Sequence, residues 1–418
     1  MMKKSNALAL CAGSLFLFSC SEPVDSNTTS ETHSDLAGIY RFSLFLDPEE
    51  LPFTGDLKFQ NNSWKLIIYN GNEEIEVNDV AVTEDSIIAR MPVFQSELRG
   101  RIESPDLITG SFINYSRDDT TSISFNAEKG KNYRFTNTKS STILPEQFHA
   151  RFTNPDKTFT ESILILTSDQ GKLNGSFLTE SGDYRYLEGN IMNESVYLSG
   201  FDGAHAFYFE ARIAGDSLVN GIFRSGPNSI TKWSAAADTT FFLRRPDQLT
   251  YLKEGYEFID FRLPNQDGDS VSWENLNLQG KVVILDMMGS WCPNCMDATR
   301  ALKKLSEPYS DDDLRVIHIA FELTEDYQVA KKRINKMQKD LQIDEEFLFG
   351  GYSSKENATV TFPMLNHIMS YPTIVIIDRN RDIRLIYTGF YGPGTGKYHT
   401  EFMDQMSTLL SQLVKEDY

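Results

Sequence analysis

The pentapeptide Trp291-Cys292-Pro293-Asn294-Cys295 constrains the fold and chemistry of this 418-residue chain more than any other feature. It follows the apolar run 282–285 and precedes a helical pattern of apolar residues. A strand that leads into a helix here places the first sulfur at the helix N-terminus, where the positive end of the helix dipole stabilises a thiolate. The thiolate is the species that attacks disulfides, and cysteines two residues apart can close and reopen a small ring. The motif therefore predicts a redox catalyst.

The first nineteen residues have the pattern of a secretory signal peptide. Two lysines precede an apolar stretch over residues 7–18, which is too short to cross a bilayer core of about 30 Å as a helix. The stretch ends in Leu17-Phe18-Ser19-Cys20, which resembles a bacterial lipobox. We therefore expect a lipoprotein signal peptide over residues 1–19 and lipid attachment at Cys20. The alternative is an ordinary signal peptide that happens to contain this cysteine.

Residues 20–35 have the composition of a flexible tether. Ser, Thr, Asp, Glu and Asn dominate there, and almost no large apolar side chain is available for burial. A lipid anchor followed by such a tether predicts a cell-envelope protein held to the membrane by its lipid alone. We place it on the outer membrane, facing the periplasm rather than the cell surface.

The cysteine count favours catalysis over structural cross-linking. Of four cysteines, Cys11 leaves with the signal peptide and Cys20 carries the lipid, so Cys292 and Cys295 remain as one pair. An exported protein with no other cysteine does not use disulfides to hold its fold together. A zinc site needs further Cys or His ligands at suitable spacing, and we find none, so no metal is expected.

The net charge of the chain is −19 and its isoelectric point is near 4.8. An acidic surface argues against nucleic acid as a partner and against electrostatic docking on anionic lipid. We expect protein thiols and disulfides as partners.

Residues 36–245 are predicted to form an antiparallel β-rich region, as a sandwich or a barrel. Short β-branched and aromatic runs alternate with turn signals such as Asn70-Gly71, and helical periodicity is absent. A shift of 111 residues aligns Leu107, Gly110 and Phe112 with Leu218, Gly221 and Phe223. These matches favour an internal duplication, with repeats over about 36–140 and 147–245. It has no visible catalytic cluster, so we expect a spacer or a docking module.

Residues 255–418 change to alternating strands and helices. We predict strands over 282–287, 314–321, 373–377 and 383–387 and helices over 293–305 and 327–341, and a final helix whose apolar face includes Phe402 and Leu413. This order predicts an α/β domain, with a central sheet and helices on both faces.

This C-terminal pattern resembles the exported TlpA/ResA-like thiol–disulfide oxidoreductases of the thioredoxin superfamily, over residues 255–418 only. Besides the WCPNC motif, Tyr371-Pro372-Thr373 precedes an apolar strand, and Asp286 lies six residues before Cys292. The resemblance implies a thioredoxin-like fold, and a cis Pro372 that faces the disulfide and exposes the backbone of Tyr371 to an extended substrate. The alternative is a trans proline that merely starts a strand.

The proton-handling carboxylate departs from the pattern of that family. Its members often carry Glu three residues after the second cysteine, where this chain has Ala298, and tend to lack the acid that is present here as Asp286. We infer that Asp286 accepts the proton of the second thiol. The alternatives are that Asp286 points outward or is tied up in a hydrogen bond. Asp297 is a poorer substitute, because we expect it on the exposed side of the helix.

The resemblance assigns each residue of the motif a role. Cys292 is the exposed nucleophile and Cys295 resolves the mixed disulfide, while Trp291 shields the site. Substrate docks on Pro293, Tyr371 and Pro372. No cofactor is expected, and an upstream membrane electron donor would recharge a reductant of this kind. Two rival functions stay open, namely a peroxiredoxin-type peroxidase and a binding lipoprotein that uses the fold as a scaffold.

Overall fold

The computed structural model describes residues 34–116 and 120–416. The predicted signal peptide, Cys20 and nearly all of the predicted tether lie outside the described residues. No helix within those residues combines the length and the apolar character that crossing a membrane requires.

The first β-rich sheet is a closed antiparallel barrel of eight strands, in which the first strand pairs with both the second and the eighth. Alternate side chains of its first strand, Tyr40, Phe42 and Leu44, are buried in the barrel, as the two-residue period of a strand requires. The strands are β1 (Gly38–Phe45), β2 (Glu50–Gln60), β3 (Ser63–Asn70), β4 (Glu73–Val82), β5 (Ser86–Arg90), β6 (Ser96–Ser104), β7 (Leu107–Asn114) and β8 (Thr121–Lys129).

The second sheet has nine antiparallel strands, and an added β10–β11 pairing joins it into a ring with one short strand appended. Its core is aromatic, with Phe177 stacked on Phe209 at a centroid distance of 4.7 Å and Trp233 edge-on to Phe177 at 5.1 Å. The strands are β9 (Gln147–Thr153), β10 (Phe159–Asp169), β11 (Lys172–Thr179), β12 (Gly182–Asp183), β13 (Leu187–Met192), β14 (Ser195–Phe201), β15 (Ala206–Ala214), β16 (Ser217–Ser225) and β17 (Ser229–Ala237).

These two sheets confirm the predicted antiparallel β-rich region. Of the two predicted architectures, a sandwich and a barrel, the barrel is correct. Displaced by 111 residues, β6 and β7 fall on β15 and β16, and Gly110 falls on Gly221. Both glycines meet a neighbouring strand closely, since an added Cβ would lie 2.1 Å from the Arg99 carbonyl oxygen or 2.6 Å from Trp233. The duplication stays a prediction. The correspondence of β6 and β7 with β15 and β16 supports it.

The C-terminal domain is built on a five-stranded sheet in the order β22-β21-β20-β23-β24, with β21 and β22 parallel to the central β20 and β23 antiparallel to it. The strands are β18 (Arg262–Pro264) and β19 (Ser270–Ser272) in a separate ribbon, then β20 (Val282–Met288), β21 (Leu314–Glu322), β22 (Glu346–Tyr352), β23 (Thr373–Ile377) and β24 (Ile383–Thr388). The helices are α1 (Pro293–Ser306), α2 (Tyr327–Leu341), α3 (Lys355–Thr361) and α4 (Lys397–Leu413).

Helices cover both faces of this sheet, as predicted. Buried residues of α1, α2 and α4 pack on one face, and α3 packs on the other with the segment 259–278. The sequence did not predict β22 or α3, because β22 contains the pair Gly350-Gly351 and α3 is only seven residues long. The thioredoxin-like fold class is confirmed.

The β-rich region packs against the C-terminal domain over a continuous apolar core. This core contains the interior of the first barrel, Phe201 and Tyr208 of the second sheet, and Met288, Cys292 and Met296 of the C-terminal domain. The predicted spacer therefore reaches the predicted active site.

Candidate active site

The two cysteines of the motif are joined by a disulfide at the start of α1. Cys292 is the N-cap residue of the helix, and its Sγ accepts a hydrogen bond from the backbone N–H of Cys295 at 3.1 Å. Pro293 occupies the first helical turn, where its missing N–H costs nothing and its fixed φ suits the helix. When the disulfide opens, the same N–H and the helix dipole face the Cys292 thiolate and stabilise it.

Cys292 is buried, which corrects the expectation of an exposed nucleophile. Its side chain is only 7% exposed and that of Cys295 is fully buried. The indole N–H of Trp291 donates to the Phe321 carbonyl at 2.9 Å, and its ring meets the edge of Tyr371 at 6.1 Å. Both rings pack against the apolar cluster that contains Cys292, and the shielding role of Trp291 stays a prediction.

The Tyr371–Pro372 peptide bond is cis and lies beside the disulfide. The carbonyl oxygen of Tyr371 is 3.7 Å from Cys292 Sγ, and the ring of Tyr371 stacks on Phe321 at 5.3 Å. Burial raises the pKa of the Tyr371 phenol well above its usual range, so the hydroxyl stays protonated near neutral pH. The fold thus brings Tyr371, Pro372 and Cys292 together, as the resemblance implied.

Asp286 lies on the sheet face that α1 covers. Alternation along β20 puts it on the same face as Ile284 and Met288, and its carboxylate contacts His318 Nδ1 at 2.8 Å. Both residues are almost fully buried, and the His318 ring stacks on Phe347 at 4.5 Å. The outward-pointing alternative is wrong. The hydrogen-bonded alternative holds for one oxygen only, since Oδ1 has no hydrogen-bond partner among the described residues.

Glu322 supports the turn that precedes Cys292. Glu322 is only 1% exposed, whereas Glu325, just beyond the same strand end, is exposed. Its two carboxylate oxygens accept from the backbone N–H and the hydroxyl of Ser290, both at 2.8 Å. Burial raises the pKa of this carboxyl. Because side chains alternate along the buried strand β21, Glu322 points inward. The sequence did not indicate this, since a hydrophilic residue at a strand end looks solvated.

Asp297 is also buried, which corrects its predicted exposed position. It is 7% exposed and forms an ion pair with Arg185, which lies in the segment between β12 and β13 of the second β-rich sheet. The Arg185 guanidinium also pairs with Glu73 of the first barrel and with Asp202, the latter at 3.3 Å. Burial disfavours the charge on Arg185, but the three carboxylates hold its pKa well above the usual range. Burial also raises the pKa of Glu73.

Arg185 contacts the active-site motif directly. Its Nη1 donates to the Pro293 carbonyl at 3.1 Å, and Asn294 Nδ2 donates to the Asp183 carbonyl at 3.0 Å. Gly182 has a φ of +133° and leaves room for Asn294, since an added Cβ would lie 2.5 Å from that amide nitrogen. The second sheet therefore covers the Pro293-Asn294 flank of the motif, and Pro293 is buried, which corrects the expectation that substrate docks on it. Sequence reasoning missed Arg185, because Tyr184-Arg185-Tyr186 looks like any strand segment.

His205 and the glycine-rich loop 389–396 lie outside the surroundings of the disulfide described above. His205 lies in the turn between β14 and β15, and its Nδ1 is 3.2 Å from the Asp202 carboxylate. The glycine-rich loop 389–396 is a structural turn, and its Gly392 N–H donates to the side chain of Asp183. Among the described residues, no group of three or more His, Cys, Asp or Glu side chains is placed to hold a metal ion.

Comparison with known proteins gives matches to the C-terminal part of the chain. The AhpC/TSA family model matches residues 255–386. The thioredoxin-like protein YneN of Bacillus subtilis is 26% identical over 147 residues, which cover 33% of this chain and 73% of that protein.

Solved structures that resemble part of this chain include one from Bacteroides fragilis and one from Corynebacterium diphtheriae. A thiol-disulfide oxidoreductase from Bacteroides fragilis is 19% identical, with a TM-score of 0.27 over 35% of this chain and 99% of its own. A DsbF homologue from Corynebacterium diphtheriae is 17% identical, with a TM-score of 0.30 over 41% of this chain and 99% of its own. From the family match, the curated relative and the disulfide at the strand-to-helix junction, we conclude that the C-terminal part of this chain is a thioredoxin-like thiol–disulfide oxidoreductase domain.

Proposed function

We propose that this chain is a cell-envelope thiol–disulfide oxidoreductase that reduces disulfides in protein substrates through the Cys292–Cys295 dithiol. The observation that carries the proposal is the geometry around Cys292 Sγ. One backbone N–H at a helix N-terminus lies 3.1 Å from the sulfur, and the carbonyl of Tyr371 lies 3.7 Å from it. The first contact favours a thiolate. The second offers a backbone acceptor beside the sulfur to an extended substrate strand.

The reaction consists of two thiol–disulfide exchanges. The Cys292 thiolate attacks a substrate disulfide, forms a mixed disulfide and releases the first substrate sulfur as a thiolate. The Cys295 thiolate then attacks the Cys292 sulfur, which closes the enzyme disulfide and releases the second substrate thiol. Two electrons pass to the substrate and the enzyme becomes oxidised. A dithiol donor at the membrane must then reduce it.

Asp286 is the proposed acceptor of the Cys295 proton. It lies on the α1 side of β20 with one carboxylate oxygen free of hydrogen bonds among the described residues, while His318 fixes the other oxygen. A thiol that must become a nucleophile in a buried site needs such a base. Because His318 contacts the other oxygen of Asp286, the position of the base is defined before substrate arrives.

The burial of Cys292 supports the reductant direction. Strong oxidants of this chemistry are those whose reduced form is strongly stabilised. Here Cys292 is buried, and burial disfavours a thiolate. The reduced enzyme is therefore a ready electron donor.

The proposed location rests on the sequence of the first 35 residues. A signal peptide over residues 1–19, a lipid on Cys20 and a polar tether would hold the folded part at the outer membrane, facing the periplasm. Labelling with a radioactive fatty acid should mark the full-length protein and leave Cys20→Ser unlabelled. Equal labelling of both would refute the anchor.

The function is tested by exchange with a disulfide protein. With dithiothreitol as electron source, the soluble form lacking residues 1–20 should accelerate insulin reduction. Cys292→Ser should abolish the acceleration. Cys295→Ser should instead accumulate a mixed disulfide, visible as a mass increase that reductant removes. Full activity in both variants would refute the mechanism.

The two rival functions give different results in the same preparation. Consumption of hydrogen peroxide without insulin reduction would indicate the peroxidase. Thiols that exchange no faster than free cysteine would indicate a scaffold.

A further inference from the structure

The dithiol is joined to the β-rich region through the two residues between its cysteines. The Pro293 carbonyl accepts a hydrogen bond from Arg185 Nη1 at 3.1 Å, and Asn294 Nδ2 donates to the Asp183 carbonyl at 3.0 Å. Arg185 also forms an ion pair with Asp297, four positions after Pro293. The first turn of α1 is therefore held from outside its own domain, by the segment between β12 and β13 and the end of β12.

The backbone of Arg185 is strained. Its φ is +56°, in the left-handed region that residues other than glycine rarely adopt. The Asp183 carboxylate stabilises this turn, since it accepts the Arg185 backbone N–H at 2.6 Å and the Gly392 N–H of the C-terminal domain. The Arg185 side chain is only 3% exposed. Strained backbone is concentrated at functional sites, so this position points to a role beyond connecting two strands.

Opening of the disulfide removes the covalent bond that holds Cys292 against α1. The contacts that then tie Cys292 to the helix include the Cys295 N–H, 3.1 Å from Cys292 Sγ, and the Met296 N–H, which donates to the Cys292 carbonyl at 3.1 Å. Both donors belong to the start of α1. Burial of Cys292 disfavours a thiolate, so the stabilisation that these donors and the helix dipole supply depends on the first turn keeping its place.

We propose that Arg185 is a positioning residue of the dithiol, which fixes the first turn of α1 through Pro293 and Asp297 so that the Cys295 N–H keeps facing the Cys292 sulfur in the reduced enzyme. The inference rests on the proposed function and adds a residue of the β-rich region to its site. Arg185 transfers no proton and no electron, so the two thiol–disulfide exchanges are unchanged. The β-rich region is then a part of the active site and not only a spacer.

Arg185→Lys tests the positioning role separately from the charge. Lysine keeps a cation beside the carboxylates, but a single ammonium lacks the planar fork that contacts Pro293, Asp297 and Glu73 at once. The measurement is the rate of alkylation of Cys292 by iodoacetamide against pH, in the reduced soluble protein lacking residues 1–20. Its midpoint should rise by about one pH unit in the variant, which is a tenfold smaller acid dissociation constant of the thiol.

Arg224→Lys is the matched control. Arg224 is another buried arginine of the second sheet, and it pairs with Glu49 at 2.6 Å and donates to the carbonyls of Leu46 and Asp47 at 3.4 and 3.3 Å. These partners lie between β1 and β2, within the β-rich region. The control should lose stability as Arg185→Lys does, but its alkylation midpoint should remain that of the wild type.

Gly182→Ala tests the same junction without a change of charge. An added Cβ at this position, whose φ is +133°, would lie 2.5 Å from Asn294 Nδ2, so the amide must move. The alkylation midpoint should rise here too, by less than in Arg185→Lys. This second variant keeps the proposal testable if Arg185→Lys does not fold.

The other ionisable groups around the dithiol are the same in the wild type and in all three variants. On the side of the β-rich region, burial raises the pKa of Asp183 to about 7, so this carboxyl titrates within the pH range of the measurement. Only a difference between the midpoints of two proteins therefore reports the position of α1. Within the C-terminal domain the described ionisable groups include Asp286, His318, Glu322, Arg333, Tyr371 and Asp297.

The outcomes separate this inference from the proposed function. Failure of the wild type to reduce hydroxyethyl disulfide would refute the proposed function itself. If the wild type reduces it but the midpoint is unchanged or lower in Arg185→Lys, Arg185 does not position the dithiol. An unchanged or lower midpoint in Gly182→Ala would have the same meaning if Arg185→Lys does not fold. An equal rise in Arg224→Lys would assign the shift to a general loss of stability and would also overturn the inference.

Discussion

The C-terminal domain and the β-rich region contribute to the same site in different ways. The C-terminal domain supplies the chemistry through residues that are adjacent in sequence, since Cys292 and Cys295 are three positions apart at the start of α1. The β-rich region supplies Arg185, which is 108 positions from its hydrogen-bond partner Pro293. A motif therefore identifies the reaction, whereas the surroundings that control access and charge come from contacts that no local pattern encodes.

The largest effect is expected on stability, when the ion pairs of Arg185 between the β-rich region and the C-terminal domain are removed. Arg185→Ala would leave Glu73, Asp202 and Asp297 buried together without their cation, and removal of one partner from a buried ion pair costs about 3–5 kcal/mol. Chemical denaturation of the soluble protein should show a loss of this size in the free energy of unfolding.

Arg244→Ala is the matched control. Arg244 pairs with Glu180 at the surface and is 65% exposed, so its removal should cost less than about 1 kcal/mol. An equal loss in the free energy of unfolding for the two variants would mean that the ion pairs of Arg185 contribute no more than a surface ion pair does.

A smaller effect is expected within the C-terminal domain from Asp286→Asn. The amide keeps the size of the side chain but cannot accept the Cys295 proton, so turnover near pH 7 should fall about 10²-fold. The loss should shrink as the pH approaches the ordinary thiol pKa of about 8.5, because the thiol then ionises unaided. A loss of the same factor at every pH would assign Asp286 a structural role only.

The smallest effect expected is on the pH dependence of stability, from Glu322→Gln. Burial raises the pKa of Glu322 in the folded protein, so the folded state binds a proton that the unfolded state has already released. This stabilisation is complete below the ordinary Glu pKa of about 4.3 and is lost as the pH rises through the raised value. The variant should lack this decline, whereas the exposed Glu325→Gln should retain it. Parallel pH profiles for wild type and Glu322→Gln would contradict the assignment.

The sequence predicted those parts of the structure that local patterns determine. The alternation of strands and helices after residue 255 placed β20, α1, β21 and α2 nearly at their observed bounds, because apolar periodicity directly reflects which face is buried. The β-rich region was recognisable as antiparallel from its turns. Its closure into rings was left open, because the pairing of first and last strands joins distant residues.

The surroundings of the dithiol were the hardest part to predict. Asp297 and Glu322 look like solvated residues in sequence, but each is buried against a polar partner that only the fold supplies. The partnership of Asp286 with His318 likewise depends on the register between β20 and β21. A charged residue is reliably on the surface only when the protein interior offers it no ion-pair or hydrogen-bond partner. A single sequence does not show which residues have such a partner.

The most direct test of the account is the reduction potential of the Cys292–Cys295 couple in the soluble protein. It would be measured by equilibration with defined thiol buffers and by the mass shift of alkylated thiols. We predict a single two-electron transition toward the thioredoxin value of about −270 mV, as expected for a reductant whose thiolate is weakly stabilised. A value toward about −120 mV would make the protein an oxidant and would contradict the proposed direction. A pair that does not titrate at all would contradict its redox role.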